Sequence, residues 1–153
     1  MDRDDPARPG AMAAALAEAR AAGATGEVPV GAAIVRDGRI LAAAGNAPRG
    51  LGDPTAHAEM RAIRAACTAL GSDRLPDCDL YVTLEPCTMC AGAISFARLR
   101  RLYFGALDPK GGAVESGVRY FSAATCLHRP EVYGGIGESE AAALLRNFFV
   151  LRR

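Results

Sequence analysis

The sequence predicts a single α/β domain, and three features of its patterning do so. An alanine-rich helical stretch precedes two β-rich runs joined by an Asp-Gly turn. Further along, strand and helix signals alternate as in a parallel crossover. The length of 153 residues is that of one ordinary domain, so residues 1–153 are expected to share one core. Half the residues are hydrophobic and 23% are charged, which is globular composition.

Each element follows from local chemistry. Residues 11 to about 22 suit a helix ending at Gly23. Residues 29–35 and 39–44 read as strands joined through Arg36-Asp37-Gly38. Residues 46–54, rich in Gly, Pro and Asn, read as a loop, and Thr55 is expected to cap a helix running to about Leu70. His57 and Glu59 then fall in its first turn, and Met60, Ile63 and Cys67 follow at helical spacing as its inward face. Residues 80–84 form a third strand that Glu85-Pro86 ends, because proline cannot continue a central ladder. A small-residue helix from 89 to about 98 leads to a fourth strand at 101–105. Residues 109–135 are irregular, and a last helix spans 138–151.

Several classes of protein are disfavoured. No apolar run approaches the roughly 18 residues that a membrane-spanning helix requires. The start, Met1-Asp2-Arg3-Asp4-Asp5, is acidic where a secretory signal is basic, so a cytoplasmic protein is expected. Five cysteines is an odd number, and the spacing of Cys87 and Cys90 suits a metal better than a disulfide framework. Net charge is only +1, yet residues 1–97 carry nine Lys/Arg against twelve Asp/Glu while residues 98–153 carry nine against five. That C-terminal basic surplus reads either as solvated surface or as a phosphate-binding footprint.

The chemistry concentrates in His57-Ala58-Glu59 and Pro86-Cys87-Thr88-Met89-Cys90. Zinc takes imidazole and thiolate ligands tetrahedrally, and a catalytic site uses three protein ligands so that water can take the fourth position. His57, Cys87 and Cys90 fill three places. A Cys-x-x-Cys at a helix N-terminus aims both sulfurs at one ion, and the helix dipole favours the thiolate. Glu59 is near enough to exchange protons with a water molecule whose pKa zinc lowers to about 7. The alternative is a closed structural zinc, which needs a fourth ligand from among Cys67, Cys78, Cys126 and His128. His-x-Glu followed by Pro-Cys-x-x-Cys is a signature of zinc deaminases.

The chain resembles the bacterial tRNA-specific adenosine deaminases of the cytidine-deaminase-like superfamily. The resemblance is carried by Glu27-Val28-Pro29-Val30-Gly31-Ala32, Asp53-Pro54-Thr55-Ala56-His57-Ala58-Glu59, the stretch from Leu80 to Ala93, and Phe148-Phe149. It implies a three-layer α-β-α fold with a mixed central sheet, a homodimer with one Zn2+ per subunit, and conversion of adenosine to inosine at the wobble position of a tRNA anticodon loop, with Glu59 as proton shuttle. It also implies that Asn46 contacts the target nucleotide, that Asp108 and Lys110 lie on an anticodon-contacting loop, and that Val30, Leu84 and Phe149 line the pocket. Asn46 reads equally as a turn residue and Phe149 as core. Lys110, the chain's one lysine, suits a phosphate contact or plain solvation. The resemblance weakens across residues 111–127, where Glu115 introduces an acid and Leu127 replaces a usual asparagine before His128-Arg129. Those departures bear on substrate, and a free guanine, cytosine or adenosine is the alternative. Tyr120 and Phe121 beside Arg119 read as base-stacking groups or as a short buried strand.

Overall fold

The computed structural model describes residues 8–152; the acidic start of the chain lies outside them. Five strands form one mixed sheet in the order β2-β1-β3-β4-β5. Strand β1 (Gly31–Arg36) pairs antiparallel with β2 (Arg39–Gly45) and with β3 (Asp79–Leu84). Strands β4 (Arg101–Ala106) and β5 (Glu131–Tyr133) extend the sheet in parallel from β3. The Asp37-Gly38 turn is as predicted, with both residues at positive φ, which matches the twist of the flanking strands.

Helices α1 (Arg8–Ala24) and α5 (Glu138–Leu151) cover one face of the sheet and touch each other. Ala11, Met12, Ala15, Leu16 and Ala19 bury one stripe of α1 against Ala33, Val35, Tyr81 and Tyr103. On this face Tyr81, Tyr103 and Tyr133 stack across β3, β4 and β5, at centroid separations of 4.4 and 5.2 Å. Helix α3 (Ala58–Leu70) and helix α4 (Thr88–Phe96) cover the other face, so the three layers expected of the chain are present.

Where α1 crosses β1 the backbones nearly touch. A Cβ added at Gly31 would stand 1.9 Å from the Ala15 carbonyl oxygen and 2.6 Å from the Ala19 nitrogen. Gly31→Ala is therefore expected to lower stability by about 3 kcal/mol, the upper end for overpacking, because backbone has to move. The urea midpoint of the two proteins checks this; an unchanged midpoint would mean that the layers separate freely.

Several local expectations are corrected. Residues 46–54 are not all loop, since one turn of helix, α2 (Pro48–Leu51), forms there with Pro48 at its start, where a missing N–H costs nothing. Thr55 does not cap α3. Its N–H and hydroxyl both donate to Asp53 Oδ1, at 2.8 and 2.7 Å, and His57 occupies the N-cap position in extended conformation. The inward face of α3 is Ala58, Glu59, Ala62, Ile63 and Ala66, with Met60 and Cys67 only half-buried. The 109–135 stretch holds a 3-10 turn at Tyr120–Ser122 as well as β5. That turn is helical where a short strand was the alternative, and its Phe121 is buried in the core, which removes it as an exposed stacking group.

Candidate metal centre

The two antiparallel strands and the crossover bring the starts of α3 and α4 together. His57 is the N-cap of α3 and Cys87 the N-cap of α4, with Cys90 in the first turn of α4. His57 Nδ1 lies 3.6 Å from Cys87 Sγ and 3.5 Å from Cys90 Sγ, and the three donor atoms all fall within 4.8 Å of one another. One nitrogen and two sulfurs at this spacing fit a tetrahedral zinc with one vertex left over. Among the described residues this group contains no fourth donor.

The other candidates for closing the site are engaged elsewhere. His128 Nε2 is 2.7 Å from the Leu99 carbonyl oxygen. Cys126 lies by the Ser95 hydroxyl and the His128 carbonyl. Cys78 is buried, and burial raises the pKa of its thiol, as it does for Cys67. These thiols behave as small apolar side chains.

The trio competes for protons as it would for a cation. A hydrogen bond from Cys90, joined by one from His57, outweighs burial and lowers the pKa of Cys87 to about 4. Cys90 is pushed upward by that same pairing and by burial. The Cys87 contact raises the imidazole pKa of His57 against the pull of burial. Glu59 is fully enclosed beside them, and burial raises its pKa to about 7. A buried carboxyl within reach of a metal position, and absent from the donor group, is placed to handle protons.

Asn46 opens the connection from β2 toward the site, its N–H donating to the Val30 carbonyl at 3.0 Å. Its Oδ1 accepts the Ala58 N–H at 2.9 Å, so a residue from another loop satisfies a free amide at the start of α3. With its oxygen engaged, Asn46 can meet a substrate through its NH2 group. Val30 is buried in the core below, and Leu84 is half-buried at the end of β3. Asp108 is half-buried and Lys110 exposed, on a loop whose Gly112 bridges to Cys87. Phe149 is not in the core: Phe148 takes that place, and Phe149 is 52% exposed with its edge toward the Phe148 ring. Helix α5 packs on the opposite sheet face from the trio's helices, with Phe149 in its last turn.

Two residues escaped sequence reasoning. Buried Glu27 accepts the Arg49 and Gly50 amides, at 3.2 and 2.7 Å, and so fixes α2 beside Asn46. Buried Glu85, at the end of β3, accepts donors from the loop that carries Lys110. Both stand in the stretches that carry the family resemblance, but nothing there distinguishes a loop-fixing acid from its neighbours.

A family model described as the cytidine and deoxycytidylate deaminase zinc-binding region matches residues 8–106. The tRNA-specific adenosine deaminase of Agrobacterium fabrum is 66% identical over 142 residues, covering 93% of this chain and 93% of that protein. A solved structure from a study of A-to-I editing by tRNA deaminases at the wobble position of transfer RNA is 65% identical. Its TM-score is 0.89, and the match covers 90% of this chain and 100% of that one. A guanine deaminase from Bacillus subtilis, also solved, is 43% identical with a TM-score of 0.63, over 65% of this chain and 64% of its own.

Proposed function

Because the chain belongs to the cytidine and deoxycytidylate deaminase zinc-binding family, we propose that it hydrolyses adenosine to inosine at the wobble position of a tRNA. The observation that carries this is a three-donor site of one imidazole and two thiols, with an enclosed carboxyl beside it, in a chain 66% identical to a tRNA-specific adenosine deaminase over nearly its whole length.

His57, Cys87 and Cys90 hold one zinc per chain. Zinc bound there supplies the Lewis acidity that makes water a nucleophile near neutral pH. Glu59 takes the proton released as water adds to carbon 6 of the adenine ring, passes it to the neighbouring ring nitrogen, and then carries the proton of the added hydroxyl to the departing amine. The C–N bond breaks, ammonia leaves, and a carbonyl remains. Enclosure of Glu59 keeps bulk water from competing for that proton. The Asn46 NH2 group orients the nucleotide over the apolar floor of Val30 and Leu84.

The nucleotide is presented from an anticodon loop, since a base inside a duplex is beyond reach of a buried metal. Asp108 orders the turn that carries Lys110, and Lys110 contacts phosphate. The protein works in the cytoplasm; no described helix is long and apolar enough to cross a membrane. It works as a homodimer, to which Phe96, 71% exposed on α4, offers an apolar contact.

The likeness to a guanine deaminase favours a second reading, the same chemistry on a free base. That match spans two thirds of the chain, against 93% for the tRNA enzyme, so RNA is the better substrate. Pure protein incubated with an anticodon stem-loop, and separately with guanine, cytosine and adenosine, separates the two. Inosine in the stem-loop, with KM rising steeply with salt, is the expected outcome. Ammonia from a free base with an unmodified stem-loop would establish the second reading instead.

A further inference from the structure

Glu85 joins the metal-bearing segment to the Lys110 loop through five donors. Its Oε1 accepts the Asp108 N–H and the Ser116 hydroxyl, both at 2.9 Å. Its Oε2 accepts the N–H groups of Val114, Glu115 and Ser116 at 3.1, 2.9 and 2.9 Å. One carboxylate therefore clips both ends of the 108–116 loop. Immediately after it, the Pro86 carbonyl accepts the Ala113 N–H at 2.8 Å, and Cys87 bridges to Gly112. Gly112 is needed there, because a Cβ would stand 2.4 Å from the Glu85 carboxyl carbon. Within the loop Asp108 Oδ1 accepts the Lys110 and Gly111 amides, at 3.2 and 3.0 Å, which sets where the exposed lysine starts.

We propose that Glu85 is a positioning residue for the RNA, fixing the Asp108-Lys110 turn at a set place relative to the metal ligands Cys87 and Cys90. This rests on the tRNA reading above. Its action runs through the loop and not through the reacting atoms. The loop spans residues 108–116, and its glycines Gly111 and Gly112 give it little stiffness of its own. Held by one buried acceptor, it presents its cation in one place, and the entropy of ordering it is spent on folding before RNA arrives.

Glutamine tests this selectively. A neutral amide keeps one oxygen acceptor and gains a donating NH2 group. With that oxygen on the side of Val114, Glu115 and Ser116, three bonds survive, and the nitrogen then faces the Asp108 N–H, donor against donor. The Ser116 hydroxyl can turn to accept. Glu85→Gln thus frees the Asp108 end while the other end stays held.

The experiment measures zinc content and steady-state deamination of an anticodon stem-loop for the native chain, Glu85→Gln, Lys110→Ala and the double variant. Glu85→Gln is expected to keep one zinc per chain and raise KM about tenfold, with kcat within about threefold. Lys110→Ala is expected to raise KM several-fold in the native chain and less than about twofold in the Glu85→Gln background, because the lysine has already lost its place. Additive effects, an unchanged KM, or zinc lost from Glu85→Gln would each overturn the proposal. If Glu85→Gln fails to fold, Ser116→Ala removes one of the five donors and must show the same coupling with Lys110→Ala on a smaller scale; independence of the two overturns it. A native chain that forms no inosine in the stem-loop removes the RNA premise, and the proposal with it, whatever the variants do.

Discussion

Glu59→Ala is expected to keep its zinc and lose turnover by about 10²–10⁴-fold, the range that a positioned proton-transfer group supplies. The carboxyl lies outside the three-donor group, so removing it leaves the metal ligands in place. Its environment explains the size of the loss. Glu59 is buried at the start of α3, and the group of donors beside it contains no second carboxyl to replace it as a proton carrier. Metal analysis beside an ammonia assay makes the test. A variant that holds zinc and turns over within tenfold of the native chain would show that the protons travel by another route.

His57→Ala, Cys87→Ala and Cys90→Ala are expected to lose zinc and activity together. Each removes one of three donors whose atoms lie within 4.8 Å, and the two that remain cannot complete a tetrahedral set. The cysteines are not equivalent before metal enters. The Cys90 hydrogen bond lowers the pKa of the Cys87 thiol, while the same pairing and burial raise that of Cys90, so zinc loading is expected to release protons. Zinc per chain near zero, measured alongside loss of inosine formation, is the expected outcome for all three. A metal-free yet active variant would dismiss the metal from the chemistry.

The contrast between these sites and the loops around them shows what the sequence could tell. His57, Cys87 and Cys90 were legible because metal chemistry restricts both residue type and spacing, and the helix starts that aim them have their own signals. The sheet was legible where strands are buried, as in β3, where Leu80, Tyr81 and Val82 follow one another. It was not legible at β5, three residues on a sheet edge with Glu131 exposed. Thr55 looked like a cap because local spacing allowed it, but Asn46 reaches the same helix from twelve residues away. Phe148 and Phe149 are neighbours on one helix about 100° apart, so only one can face the core, and nothing in the pair says which. Glu85 gave no sign of its role, because its partners lie 23 to 31 residues downstream. Such a contact exists only once the crossover has folded.

The tyrosine stack behind the sheet has a practical bearing on how the protein can be watched. The chain has no tryptophan and four tyrosines, so its intrinsic fluorescence and near-ultraviolet dichroism come mainly from phenol rings. Three of those rings, Tyr81, Tyr103 and Tyr133, form one coupled column between the sheet and its rear helices, while Tyr120 alone sits on the metal-bearing side. Optical melting will therefore follow dissolution of the rear layer, and an event confined to the front will be nearly silent except through a single chromophore.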